Sequence, residues 1–120
     1  MRDYSKPVKP LIRKYSGELY ERELHRELTR LDEQFDRWRR GEIDSFELEN
    51  LIHKFHQGPS RELYKTYTQG FPDHAVAYGI VTELLNESEI EIELLDELAQ
   101  TLEFYRGMKA RGELRMPGET

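Results

Sequence analysis

The sequence has no cysteine, which excludes a disulfide framework, a thiolate metal site and a cysteine nucleophile. It also lacks any apolar stretch of roughly 18 residues, the length that a membrane-spanning helix needs, and residues 1–15 lack the apolar core of a signal peptide. Neither the GxGxxG nor the GxxxxGK phosphate-loop pattern occurs, and no serine lies in a nucleophile elbow. These absences favour a cytoplasmic, non-enzymatic protein with no membrane segment and no cofactor.

The sequence also lacks an excess of basic charge, since 24 acidic residues against 18 basic ones give the 120 residues a net charge of -6. The charge is uneven: residues 1–15 hold five basic side chains against Asp3 alone, whereas residues 73–100 hold eight acidic side chains and no Lys or Arg. The basic segment either contacts phosphates or an acidic partner, or is a solvated tail with the acidic helix of its own chain as a surface to lie on. The overall acidity argues against nucleic acid as the main target.

Apolar residues recur every three or four positions, which predicts an all-α, single-domain bundle of about five helices with a long first helix. The expected helices cover residues 18–40, 45–57, 61–68 and 73–85, and a fifth starts near residue 88 and ends at Gly107 or Gly112. Because Pro7 and Pro10 oppose a long regular helix, residues 1–15 are predicted to form an extended basic N-terminal arm. Residues 16–112 are then the helical bundle, and residues 113–120 a frayed C-terminal tail.

The junction between the first two helices has the most specific signals. Gly41 is placed to adopt the left-handed conformation that ends a helix, and Asp44 with Glu47 forms a capping box, so a helical hairpin is predicted at Gly41. The same residues partly match the spacing of an EF-hand calcium loop. Trp38 and Arg40 stand where that loop supplies oxygen ligands, so calcium binding is not expected.

Later helix boundaries are predicted from the same kinds of residue. The predicted stops are Gly58 and Pro59, and the predicted starts are Ser60, Asp73 and a second capping box of Ser88 with Glu91. Gly79 lies inside the fourth helix, where the absence of a side chain favours close approach by another helix. The acidic residues that follow are interpreted as a solvated face, with an electrostatic docking surface as the alternative.

The first candidate binding patch follows the second helix. It comprises His53, His56, Arg61, Tyr64 and Tyr67, gathered around the predicted Gly-Pro turn. Aromatic and arginine side chains are types that anchor protein interfaces. The alternative is structural: Tyr64 and Tyr67 fill the end of the bundle, and Arg61 pairs with a carboxylate.

The two histidines of this patch, together with Glu49, also define a candidate metal site. Glu49, His53 and His56 share one face of a predicted helix and offer ligands to a first-row metal. Neither the HExxH pattern nor the Glu-x-x-His pair of di-iron bundles accompanies them. The alternative is that His56 interacts with the helix dipole and His53 borders the core.

Three functions remain open from these features. The preferred one is a non-enzymatic interaction or regulatory protein that docks a protein partner through a helical face. The alternative is a small metal-binding or metal-dependent protein using Glu49, His53 and His56. The third is nucleic-acid binding through the basic N-terminal arm, and the long apolar stripes of the first and fifth helices also allow a homodimer.

Overall fold

The computed structural model describes residues 3–118, and every regular element within that range is helical. The elements are α1 (Val8–Arg39), α2 (Ser45–Phe55), a π-helical turn (His56–Ser60), α3 (Arg61–Gln69), α4 (Pro72–Val81), a 3-10 turn (Glu87–Glu89), α5 (Ile92–Glu97) and α6 (Ala99–Ala110). The predicted all-α class, the long first helix and the hairpin at Gly41 are confirmed. No helix among residues 3–118 has both the length and the apolar character needed to cross a membrane.

The chain divides into two compact units. The core unit comprises residues 3–19 and 70–118, and the hairpin unit comprises residues 20–69. Helix α1 contributes its N-terminal part to the core unit and its C-terminal part to the hairpin unit.

The start of α1 contradicts the predicted extended arm, because the helix begins at Val8. Pro10 is accommodated in the first turn, where backbone N–H groups have no acceptor within the helix. Burial explains why this segment is helical: the side chains at residues 4, 8, 12, 15 and 19 are all buried, at spacings of three and four. Met1 and Arg2, also part of the predicted arm, lie outside the described residues.

Helix α4 lies at the centre of the core unit. Most of its residues are buried, and His74 is exposed; the buried residues are Asp73, Ala75, Val76, Ala77, Gly79, Ile80 and Val81. A helix that is buried over most of its surface must be covered by other elements. The predicted close approach at Gly79 is confirmed, because a Cβ built there would lie 2.6 Å from both Cδ atoms of Leu19 on α1.

The predicted cap of α4 is wrong. Asp73 lies in the first turn and makes no capping bond, while Phe71 is the N-cap residue and Pro72 is the first helical residue. The Asp73 side chain is buried, and its Oδ2 accepts a hydrogen bond of 2.7 Å from the Tyr4 hydroxyl. The carboxylate therefore bonds to a distant tyrosine instead of capping the helix as the local pattern predicts.

The second predicted capping box is also wrong. The side chain of Asn86 accepts hydrogen bonds from the Ser88 N–H and hydroxyl, and these residues form a 3-10 turn. The predicted fifth helix is split into α5 and α6 at Leu98, which is fully buried. The predicted stop at Gly112 is confirmed. Gly112 lies just beyond the end of α6, its φ is +72°, and its N–H donates to the Lys109 carbonyl within the helix.

The hairpin unit follows its local signals at the first turn. Gly41 has a φ of +76°, and Asp44 caps α2 by accepting a hydrogen bond of 2.8 Å from the Glu47 N–H. Trp38 Nε1 donates to the Ser45 hydroxyl at 3.0 Å, which ties the end of α1 to the start of α2. These contacts hold the turn in one geometry.

The predicted helix stop at Gly58 and Pro59 is wrong. Helix α2 continues into α3 through the π-helical turn, and Ser60 lies within that turn instead of capping a new helix. A π-helical turn has a wider hydrogen-bond spacing than an α-helix and is a recognised way to insert a residue into a helix. Pro59 is accommodated there although it has no N–H to donate.

The C-terminal segment has irregular backbone through residue 118, but it is attached to the core unit. The hydroxyl of Tyr78 on α4 donates to the Arg115 carbonyl at 2.7 Å. This bond differs from the prediction of a frayed tail, whose last two residues, Glu119 and Thr120, lie outside the described residues.

The two helical glycines of α1 and α4 yield a matched stability test. We expect Gly79→Ala to lower the free energy of unfolding by about 1–3 kcal/mol, because the new methyl group would overlap the fully buried Leu19 side chain. Gly17→Ala should raise it by about 0.5–1 kcal/mol, because nothing lies within 4 Å of the added Cβ. Urea unfolding of the two variants measures both effects, and equal effects of the same sign would contradict the packing at Gly79.

Candidate functional site

The predicted binding patch lies entirely in the hairpin unit, along α2, the π-helical turn and α3. His53, His56, Arg61 and Tyr64 are exposed, and Tyr67 is half-buried. The predicted sharp Gly-Pro corner is absent, because the backbone remains helical between His53 and Tyr67. The five side chains therefore lie along one continuous helical arm.

Tyr67 belongs to the internal packing of the hairpin. Its hydroxyl donates to the Glu23 carboxylate at 2.5 Å, and its ring stacks on Tyr20 with centroids 5.0 Å apart. Glu23 is buried and also lies 3.7 Å from the guanidinium of Arg26. Tyr67 therefore holds α3 against α1, as the structural alternative predicts, whereas Tyr64 is 54% exposed and does not fill a core.

The candidate metal ligands are only partly brought together. Glu49 Oε1 and His53 Nε2 lie 3.9 Å apart on α2, and both side chains are largely exposed. His56 begins the π-helical turn, where the regular α-helical register ends. Across residues 3–118, no group of three or more His, Asp or Glu side chains is arranged to hold a metal ion.

The acidic segment is engaged by the N-terminal residues of its own unit. The Tyr15 hydroxyl donates to Glu91 at 2.6 Å, and the backbone N–H of Ser5 donates to Glu97 at 2.9 Å. The hydrogen bond to Glu91, together with burial, raises the pKa of Tyr15 to about 12. The same bond lowers the pKa of Glu91. In these contacts the N-terminal segment lies against acidic residues of its own chain, as one of the two alternatives predicts.

An aromatic cluster that was not predicted from the sequence lies on the core unit. Its rings belong to Phe71, His74, Tyr78, Phe104 and Tyr105, with neighbouring centroids 5.1–6.3 Å apart. Nδ1 of His74 lies 2.9 Å from the Tyr105 hydroxyl, and burial raises the pKa of Tyr105. The only local sequence signal was the spacing of His74 and Tyr78, which places them on one face of α4.

Most apolar residues of the hairpin unit, which the structure describes throughout, are not buried. We define the hairpin stripes as Leu24, Leu28, Leu31, Phe35 and Trp38 on α1 together with Leu48, Leu51, Ile52 and Phe55 on α2. Of these residues only Leu48 is buried. Leu28 is 46% exposed, Trp38 40% and Ile52 38%. Two helices alone leave the edges of both stripes accessible to a further apolar surface.

These features place the chain among all-α proteins that combine a long helix with a helical hairpin. No family model, curated protein or solved structure matches the sequence or the fold. Its function therefore has to be argued from its own surfaces.

The hydrogen bond between Tyr15 and Glu91 predicts pH dependence at both ends of the scale. The pKa of Tyr15 is raised in the folded chain. The stabilising contribution of the Tyr15 hydroxyl is therefore complete below pH 10 and is lost as the pH rises through about 12. Because the pKa of Glu91 is lowered from 4.5, its contribution is complete above that value and is lost as the pH falls through the lowered pKa.

The variant Tyr15→Phe should therefore weaken the dependence of the melting temperature on pH in both ranges. Tyr64→Phe is the matched control, because Tyr64 is exposed. Absorbance titration of tyrosinate should show that Tyr15→Phe removes a group that titrates near pH 12. An unchanged alkaline titration would contradict the assignment.

The arrangement of Glu49, His53 and His56 predicts that added zinc or nickel leaves the melting temperature unchanged. A rise of several degrees that His53→Ala abolishes, and that the control His25→Ala on α1 preserves, would contradict this expectation. Elemental analysis of the purified protein provides an independent measurement.

Proposed function

We propose that the chain is a non-enzymatic interaction protein that docks a protein partner through the hairpin stripes. The observation that carries the proposal is the poor coverage of the hairpin unit, where Ile43 and Leu48 are the only buried apolar residues. Removing a Leu- or Ile-sized side chain fully from water stabilises a complex by about 1.5–3 kcal/mol, so covering the stripe edges is a substantial driving force.

The residue types of the stripes and of the neighbouring helix α3 support this proposal. Trp38 in the stripes and Tyr64 on α3 are partly exposed aromatic side chains, and Leu28 and Ile52 add aliphatic surface. Aromatic side chains with a polar handle often contribute most of the binding free energy at interfaces. His53, His56 and Arg61 are exposed on the same helical arm and would supply polar contacts at the rim.

The geometry of the turn also favours docking. Gly41, the Asp44 cap and the hydrogen bond between Trp38 and Ser45 fix the turn of the hairpin. At the other end, Tyr67 bonds to Glu23 and stacks on Tyr20. A surface that is ordered before it binds loses less conformational entropy on association.

The other candidate functions have less support. For metal binding, only Glu49 and His53 approach each other, at 3.9 Å. For nucleic-acid binding, the proposed basic arm is largely helical and buries Tyr4, Val8 and Ile12 in the core unit. The proposal also includes a cytoplasmic location, which is inferred from the sequence.

Site-specific photo-crosslinking tests where the partner lies. A photoreactive amino acid placed at Leu28 or Ile52 should yield a covalent adduct with a second protein chain in cells. The same amino acid at Asp32 or Asn50, exposed positions on α1 and α2, serves as the control and should yield little adduct. Absence of an adduct at the stripe positions, or equal yields at all four positions, would contradict docking through the stripes.

A further inference from the structure

We infer that the partner of the hairpin stripes is a second copy of this chain, so that two hairpin units pair as an antiparallel four-helix bundle. This inference rests on the proposed function, because it names the occupant of the same surface. It is drawn from three properties of the hairpin unit: the extent of its uncovered stripes, its charge balance and the placement of its aromatic residues.

The first property is the shape of the uncovered surface. The hairpin unit presents two arms, the part of α1 from Tyr20 onwards and the arm from α2 to α3, each at least about 30 Å long at 1.5 Å per residue. Partial exposure extends along both arms, from Trp38 at the turn to Tyr64 near the open end. A four-helix bundle covers such stripes on every helix, and two hairpins supply the four helices.

The second property is charge balance. The hairpin unit carries nine basic and eleven acidic side chains, a net charge of -2, which is a minor part of the chain's -6. Many of these charges are paired within the unit: Arg26 with Glu23, Arg30 with Glu27, Arg39 with Asp36, and Arg40 with Glu42. Because this net charge is small, the hairpin unit offers a strongly basic or acidic partner little electrostatic attraction.

A two-fold interface sets one surface against an identical copy, so it excludes surfaces that carry a large charge of one sign. The hairpin unit satisfies this condition because its opposite charges are interspersed and paired along α1. The acidic residues of the core unit do not satisfy it, since residues 73–100 contain no Lys or Arg. Charge complementarity therefore favours self-association through the hairpin unit over self-association through the acidic segment.

The third property is the position of the aromatic residues. Trp38 lies at the turn end of the hairpin, beside Ser45, and Tyr64 lies one helical turn from Tyr67 at the open end. Antiparallel pairing about a two-fold axis brings the turn end of one copy to the open end of the other. Each Trp38 would then be covered by the arm that carries Tyr64 in the second copy.

Sedimentation equilibrium of the full chain tests the inference directly. The expected mass is twice 14.4 kDa at high concentration, falling toward one chain on dilution. Trp38 is the single tryptophan, so its emission should shift to the blue as the dimer forms. A mass of one chain at every concentration, or an emission maximum that stays constant while the mass doubles, would overturn the inference.

Matched substitutions locate the interface. Ile52→Lys and Leu28→Lys should each raise the dissociation constant of the dimer at least about tenfold, because each places an ammonium group in the apolar contact. Ile92→Lys is the control, since Ile92 is 68% exposed on the core unit, and it should leave the constant unchanged. Circular dichroism checks that each variant keeps its helical content. A dimer weakened by Ile92→Lys but not by the two hairpin variants would overturn the assignment.

The crosslinking experiment separates this inference from the proposed function. An adduct of twice the chain mass at Leu28 or Ile52 supports the second copy. An adduct with a different protein at the same positions, from a chain that sediments as a monomer, overturns the second copy and leaves docking through the stripes in place. Absence of any adduct, together with a monomer mass, overturns both.

Discussion

The core unit depends on the close packing of Leu19 on α1 against Gly79 on α4. Because Gly79 has no side chain, both methyl groups of Leu19 occupy the space where a Cβ would be. Val8 and Ile12, on the preceding turns of α1, are also completely buried. With α1 in this position, the hydroxyl of Tyr15 reaches Glu91. The packing of Leu19 and the hydrogen bond of Tyr15 therefore depend on the same placement of α1.

The two parts of α1 therefore lie in different environments. The N-terminal part of α1 has side chains with no exposed surface, including Leu19, whereas further along the same helix Leu28 and Trp38 remain exposed to 40% or more. Burial on this scale is the main favourable term in folding, so the core unit has the larger share of the hydrophobic stabilisation. The uncovered stripes are the molecular reason for assigning the hairpin unit a role in association.

Local signals in the sequence were sufficient at some helix boundaries and misleading at others. Gly41, Asp44 and Gly112 behave as predicted, because a left-handed glycine and a capping carboxylate act within a few residues. The local stop signal of Gly58 and Pro59 failed, since the backbone stays helical there. Other predictions failed because distant residues decide. Asp73 bonds to Tyr4, 69 positions away, and burial makes the segment after Pro7 helical. Of the candidate site, the sequence identified exposed side chains but could not foresee that Tyr67 is bonded to Glu23.

The hydroxyl groups of Tyr4, Ser5 and Tyr15 have acceptors 69, 92 and 76 positions later in the chain. During synthesis, these three residues must therefore wait for acceptors made much later before the bonds can close. The hairpin unit is encoded between them, and its turn contacts join residues only three and seven positions apart. Short loops close faster than long ones, so this order favours a hairpin that is already formed, with its apolar edges exposed, while the core unit is still incomplete.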